Sequence, residues 1–109
     1  MNNSKMKDMI VSRLERILES MCSQRLEVAS HYSPDQLSLD EEIAQIKELL
    51  RDANEFVLAY ESIIANLESV PFSLSGKCAV GLLEVALLLR FKTERNEDAV
   101  TDHFKVHHL

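Results

Sequence analysis

A chain of 109 residues, 46% of them hydrophobic, with only two glycines and two prolines, is long enough to bury a core and too poor in breakers for a strand-and-turn architecture. It reads as one all-α domain, a bundle of four to five helices. Its net charge of −6 argues against direct contact with nucleic acid or an anionic membrane, because their phosphates would repel it.

The start, Met1 to Asp8, is polar and mixed in charge and lacks the apolar core of a signal peptide. No run reaches the ~18–20 apolar residues of a membrane span, so a cytoplasmic location is expected. A first helix is predicted from about Ser4, with Met6, Met9, Ile10, Leu14, Ile17, Leu18 and Met21 forming one apolar stripe. It can continue through Leu26 and Val28. His31 to Asp35 is a loop, since Pro34 turns Ser33 away from helical geometry.

The second helix has a signature start. The Ser38 hydroxyl can accept from the amide of Glu41, and the Glu41 carboxylate from the amide of Ser38. Asp40, Glu41 and Glu42 also suit the positive end of the helix. Leu39, Ile43, Ile46, Leu49, Leu50 and Ala53 form its inner side, and Glu41, Glu48 and Asp52 lie within ~40° of one another on the outer side. Capping does not account for Glu48 or Asp52, although Lys47 and Arg51 on the flank should soften their repulsion.

Asp52 or Asn54 is expected to cap a third helix, whose inner side carries Phe56, Tyr60, Ile63, Ile64 and Leu67. Glu61 and Glu68 stack on its outer side with Leu58 beside them. A lone exposed leucine is ordinary, but beside an acidic rim it can also anchor a partner. Pro71 ends this helix, and Ser73 or Ser75 caps a fourth over about 75–91. That helix is apolar nearly all round apart from Lys77 and Glu84, so it is expected to be central. Gly81 within it predicts a close approach by a neighbouring backbone. A last short helix is predicted from Thr93 to Phe104.

Catalytic or cofactor motifs are missing from the pattern. Cys22 and Cys78 are too few and too far apart for a metal or redox site, and each is expected as a small buried thiol. His103 and His107 stand four apart without a third ligand. Gly76 and Gly81 make no phosphate loop, and no serine sits in a nucleophile elbow. The residues predict neither an enzyme nor a bound cofactor or metal.

The charge distribution is more telling. Residues 37–72 hold eight acids against two bases, whereas the segments before and after each balance five against five. An imbalance confined to one segment marks a face for a basic partner. Glu41, Glu48 and Asp52 form its expected centre, extended by Glu55, Glu61 and Glu68, with Leu58 as the apolar anchor.

Over Glu41 to Phe91, about half of the chain, three stretches carry a likeness: Ile43-Ala44-Gln45-Ile46-Lys47-Glu48-Leu49-Leu50, then Leu58-Ala59-Tyr60-Glu61, then Leu87-Leu88-Leu89-Arg90 after Pro71. This region resembles small helical immunity proteins of bacterial toxin systems, of the type that partners Maf toxins and contact-dependent growth-inhibition toxins. The first 36 residues carry no such likeness. The resemblance implies a protein that binds one toxin domain, usually a nuclease, and protects the producing cell; it implies no shared binding motif. The alternative is a dimeric helical adaptor or secretion chaperone using the methionine-rich stripe of the first helix.

Overall fold

Apolar residues at spacings of three and four, from Ile10 to Met21, draw the N-terminal segment into a long helix that the other elements pack around. In the computed structural model, residues 2–51 and 55–96 are described. They form α1 (Asn2–Ser23), a one-turn α2 (Arg25–Val28) that runs into a 3-10 turn (Ala29–His31), α3 (Leu39–Arg51), α4 (Phe56–Ser69) and α5 (Gly76–Asn96). The expected all-α bundle is the fold observed.

α1 ends where Gln24 leaves helical geometry, so the predicted continuation through Leu26 and Val28 is a separate turn. Of those two residues, Val28 reaches the core and Leu26 is exposed. The Gln24 side chain clasps the chain between α4 and α5. Its Nε2 donates to the Ser73 carbonyl and its Oε1 accepts from the Ser73 amide, both at 2.8 Å. One side chain thus satisfies both backbone groups of a residue 49 positions away.

The capping box of α3 forms as predicted. The Ser38 amide donates to Glu41 Oε1 at 2.9 Å, and the Glu41 amide donates to Ser38 Oγ at 3.2 Å. Leu39, Ile43, Ile46 and Leu50 are buried, and Leu49 is partly so. Residues 52–54, including Ala53 and the expected caps Asp52 and Asn54, lie outside the described residues. The cap position of α4 falls to Glu55, whose side chain makes no capping bond. The Glu55 amide instead donates back to the Leu49 carbonyl at 2.8 Å, which folds α3 and α4 into an antiparallel hairpin.

α4 buries Phe56, Ala59, Ile63 and Asn66, with Val70 just beyond its end, at alternating spacings of three and four. Tyr60 and Leu67, expected on its inner side, are partly buried against this row. Ser75 caps α5, its hydroxyl accepting from the Cys78 amide at 3.1 Å. Cys78 is buried as expected, whereas Cys22 is only partly so.

Two expectations for the fourth helix are corrected. α1, not α5, touches every other α-helix; α5 packs along α1 and lightly on α4. Cys78, Gly81, Val85 and Leu89 face inward, while Val80, Leu83 and Leu87 face out. An apolar circumference therefore did not mean burial on all sides. Gly81 is also not pressed by a helix backbone. A Cβ there would meet only Arg13 Cγ and Cβ, at 3.6 and 3.8 Å, which are ordinary contacts. The segment after Arg90 continues α5 as far as Asn96, since Lys92, Glu94 and Arg95 are good helix formers and nothing breaks the helix. The remainder of the predicted last helix lies outside the described residues, as do His103 and His107.

Candidate functional site

On α3 the apolar side fixes the direction of the charged one. With Leu39, Ile43, Ile46 and Leu50 turned inward, Glu41 and Glu48 emerge on the far side, two turns apart, and both are exposed. Glu42, one residue on from Glu41, turns toward α4 instead. It is partly buried and accepts from Asn66 Nδ2 at 3.3 Å, so it is withdrawn from the acidic face. Arg51 reaches across to α1, where its Nε donates to Glu15 Oε2 at 3.1 Å. The expected softening of Glu48 by Arg51 is therefore diverted to another helix.

On α4 the inward row from Phe56 to Asn66 leaves Glu61 and Glu68 on the outer side, again two turns apart and exposed. Glu55 is exposed at the hairpin tip. Leu58 is 50% exposed, as anticipated, but it is not alone: Val57 beside it is 43% exposed. Tyr60 faces inward and is partly buried, which makes it support for the surface more than part of it. Asp52, expected at the centre, lies outside the described residues. The hairpin therefore carries Glu41, Glu48, Glu55, Glu61 and Glu68 together with Leu58. Neither the Arg13–Glu84 nor the Arg51–Glu15 ion pair involves any of these five carboxylates.

Behind this face lies a polar network that the sequence reading missed. Asn66 is 8% exposed. Its Oδ1 accepts from the Tyr32 hydroxyl at 2.7 Å, and its Nδ2 donates to the Ser62 carbonyl at 2.9 Å as well as to Glu42. Burial, and then the Glu42 carboxylate, raise the Tyr32 pKa above its ordinary value of 10.0. The available signal was an asparagine standing where the three-and-four spacing of α4 calls for an apolar residue. The network sits at the base of an open cleft of about 420 Å³ that His31, Gln36 and Ser69 also line. No buried side-chain nitrogen or oxygen among the described residues lacks a partner. The network pins the 31–36 loop to the back of the hairpin.

A second open groove, about 490 Å³, runs between α1 and the start of α5 and is lined by Arg13, Arg16, Lys77 and Glu84. Arg13 Nε donates to Glu84 Oε1, so this carboxylate is partly exposed and ion-paired. Among the described residues no group of three or more His, Cys, Asp or Glu is arranged to hold a metal, and no helix is long and apolar enough to cross a membrane.

Fold and surface together define the class: an α-helical bundle presenting a charged helical hairpin. Compared with protein-family models, curated proteins and solved structures, the chain matches none of them.

Proposed function

We propose that this chain is an immunity protein that binds a basic toxin domain, a nuclease, stoichiometrically through the outer side of the α3–α4 hairpin. The observation that carries the reading is the set of exposed carboxylates at Glu41, Glu48, Glu55, Glu61 and Glu68, outside the internal ion pairs and adjoining half-exposed Leu58. Glu48, Glu55, Glu61 and Glu68 neither cap a helix nor take part in these ion pairs, so their concentration on one hairpin is better explained by an external partner.

A nuclease that grips phosphate presents a basic cleft, and an acidic hairpin can occupy that cleft in place of the nucleic acid. Opposite charge raises association rates toward ~10⁸–10⁹ M⁻¹s⁻¹, which favours capture of a toxin before it acts. Slow dissociation requires desolvated apolar contact, for which Leu58 and Val57 are positioned. The protein acts by binding, in the cytoplasm of the producing cell.

The adaptor alternative rested on the methionine stripe of α1. Met21 is fully buried and Met6 packs on the core, whereas Met9 is partly exposed, so two of the three methionines are occupied within the chain.

A tagged copy, purified at moderate salt from the bacterium that produces it, should retain a basic polypeptide at one to one and suppress its nuclease activity. Reversing Glu48 and Glu61 to lysine should slow association at least about tenfold, with the helical circular dichroism unchanged. Recovery of the chain alone, or full affinity after both reversals, rejects the reading.

A further inference from the structure

Val80, Leu83 and Leu87 repeat at spacings of three and four along the outward side of α5 and are 55%, 66% and 57% exposed. They stand opposite the inward row of Cys78, Val85 and Leu89, so α5 is apolar on two sides and only one is covered by α1. Gly76 lies on the same outward line, four residues before Val80. A Cβ at Gly76 would meet nothing within 4 Å, and its φ is not in the left-handed region. Neither a neighbour nor the backbone within this chain accounts for a glycine there.

We propose that this face binds a second copy of the chain, α5 against α5 in antiparallel orientation, forming a two-fold symmetric dimer. The spacing is that of a coiled-coil seam, with Gly76 and Leu83 at one core position and Val80 and Leu87 at the other. Antiparallel pairing centred between Val80 and Leu83 sets each against the other's equivalent in the second copy. Leu87 then lies over Gly76 of the second copy, whose missing side chain leaves the room it needs.

The flanks agree with the same register. Lys77 and Glu84 share one edge of the stripe and come opposite each other twice across the two-fold, giving two reciprocal pairs of opposite charge. Glu84 uses Oε1 on Arg13 and has Oε2 left for Lys77. The other edge carries Ala79 and Ala86, which also meet each other and let the helices approach closely. Parallel pairing would set Glu84 against Ala79 of the second copy, so neither Lys77 nor Glu84 would meet the other and both charge pairs would be lost. The acidic excess of residues 37–72 lies outside this stripe of α5. The dimer does not depend on the toxin-binding reading, and it leaves the acidic hairpin uncovered.

Sedimentation equilibrium of the full chain from about 1 to 200 μM should show a monomer–dimer equilibrium. Gly76→Glu fills the space beneath Leu87 and at the same time suits the first turn of α5. It should raise the dimer dissociation constant about thirtyfold or more without lowering the melting temperature. Lys77→Glu should weaken the dimer about fivefold, since it replaces two pairs of opposite charge across the two-fold with like charges. Should Gly76→Glu fail to fold, Leu83→Gln gives the same reading from an exposed position. A wild-type chain that stays monomeric throughout, or folded Gly76→Glu and Leu83→Gln variants that remain fully dimeric, would overturn the proposal.

Discussion

Asn66 occupies a position in α4 where the helical repeat calls for an apolar side chain, and the fold satisfies each of its polar atoms. Removing one member of such a set leaves the others desolvated and unpaired, so Asn66→Ala should cost about 2–3 kcal/mol, seen as a melting temperature lower by about 10 °C or more. The Tyr32 hydroxyl gives a second readout. Its pKa is raised on folding, so above about pH 10 the unfolded chain has released a proton that the native state still holds. Stability from this group is therefore intact below about pH 10 and falls as pH rises toward the folded value. Tyr32→Phe should be less stable than wild type at neutral pH. Between about pH 9 and 11 it should also lose less stability than wild type does, which denaturant titration at each pH would reveal. An equal loss in both proteins would place the alkaline sensitivity elsewhere. Only the out-of-pattern asparagine was legible beforehand; its partners were not, because periodicity assigns residues to faces without saying which loop returns to meet them.

Helices themselves were legible, and their caps largely so. Ser38 with Glu41, Ser75, and Pro71 as a terminator act through bonds or sterics within a few residues, which is why local sequence reports them. The errors concern elements meeting one another. Gly81 was read as a contact point for a helix backbone, yet only the aliphatic stem of Arg13 lies near it. An added methyl group would make ordinary contacts there while recovering the helix propensity that glycine lacks. Gly81→Ala should thus stabilise the protein by about 0.5–1 kcal/mol, raising the melting temperature by about 4 °C. Destabilisation would mean that α1 and α5 lie closer than the Arg13 contacts indicate. The cap of α4 is a local ambiguity: the structure gives the position to Glu55, and the expected Asp52 and Asn54 lie outside the described residues. Asp52, Asn54 and Glu55 are all acceptable near a helix start, and composition alone did not choose among them.

For the molecule as a whole, the decisive feature is which helix the others surround. α1 contacts the remaining α-helices and holds Leu14, Ile17 and Leu18 without exposure to solvent. Leu14→Ala should consequently cost about 3–4 kcal/mol in equilibrium unfolding, a large part of the stability of a domain this size. A loss below about 1 kcal/mol would deny α1 its central place. The sequence by itself determined the all-helical class, the main helices and the confinement of charge to residues 37–72. Each of these follows from composition, short-range periodicity or covalent order along the chain. Only the tertiary structure decided that α1 is the helix the others pack around and that one apolar side of α5 stays exposed. It also decided that Glu42 turns inward to Asn66 while Glu41, Glu48, Glu61 and Glu68 face out. Hydrophobicity measures how much surface a helix would bury; which neighbour buries it depends on the packing of every helix at once.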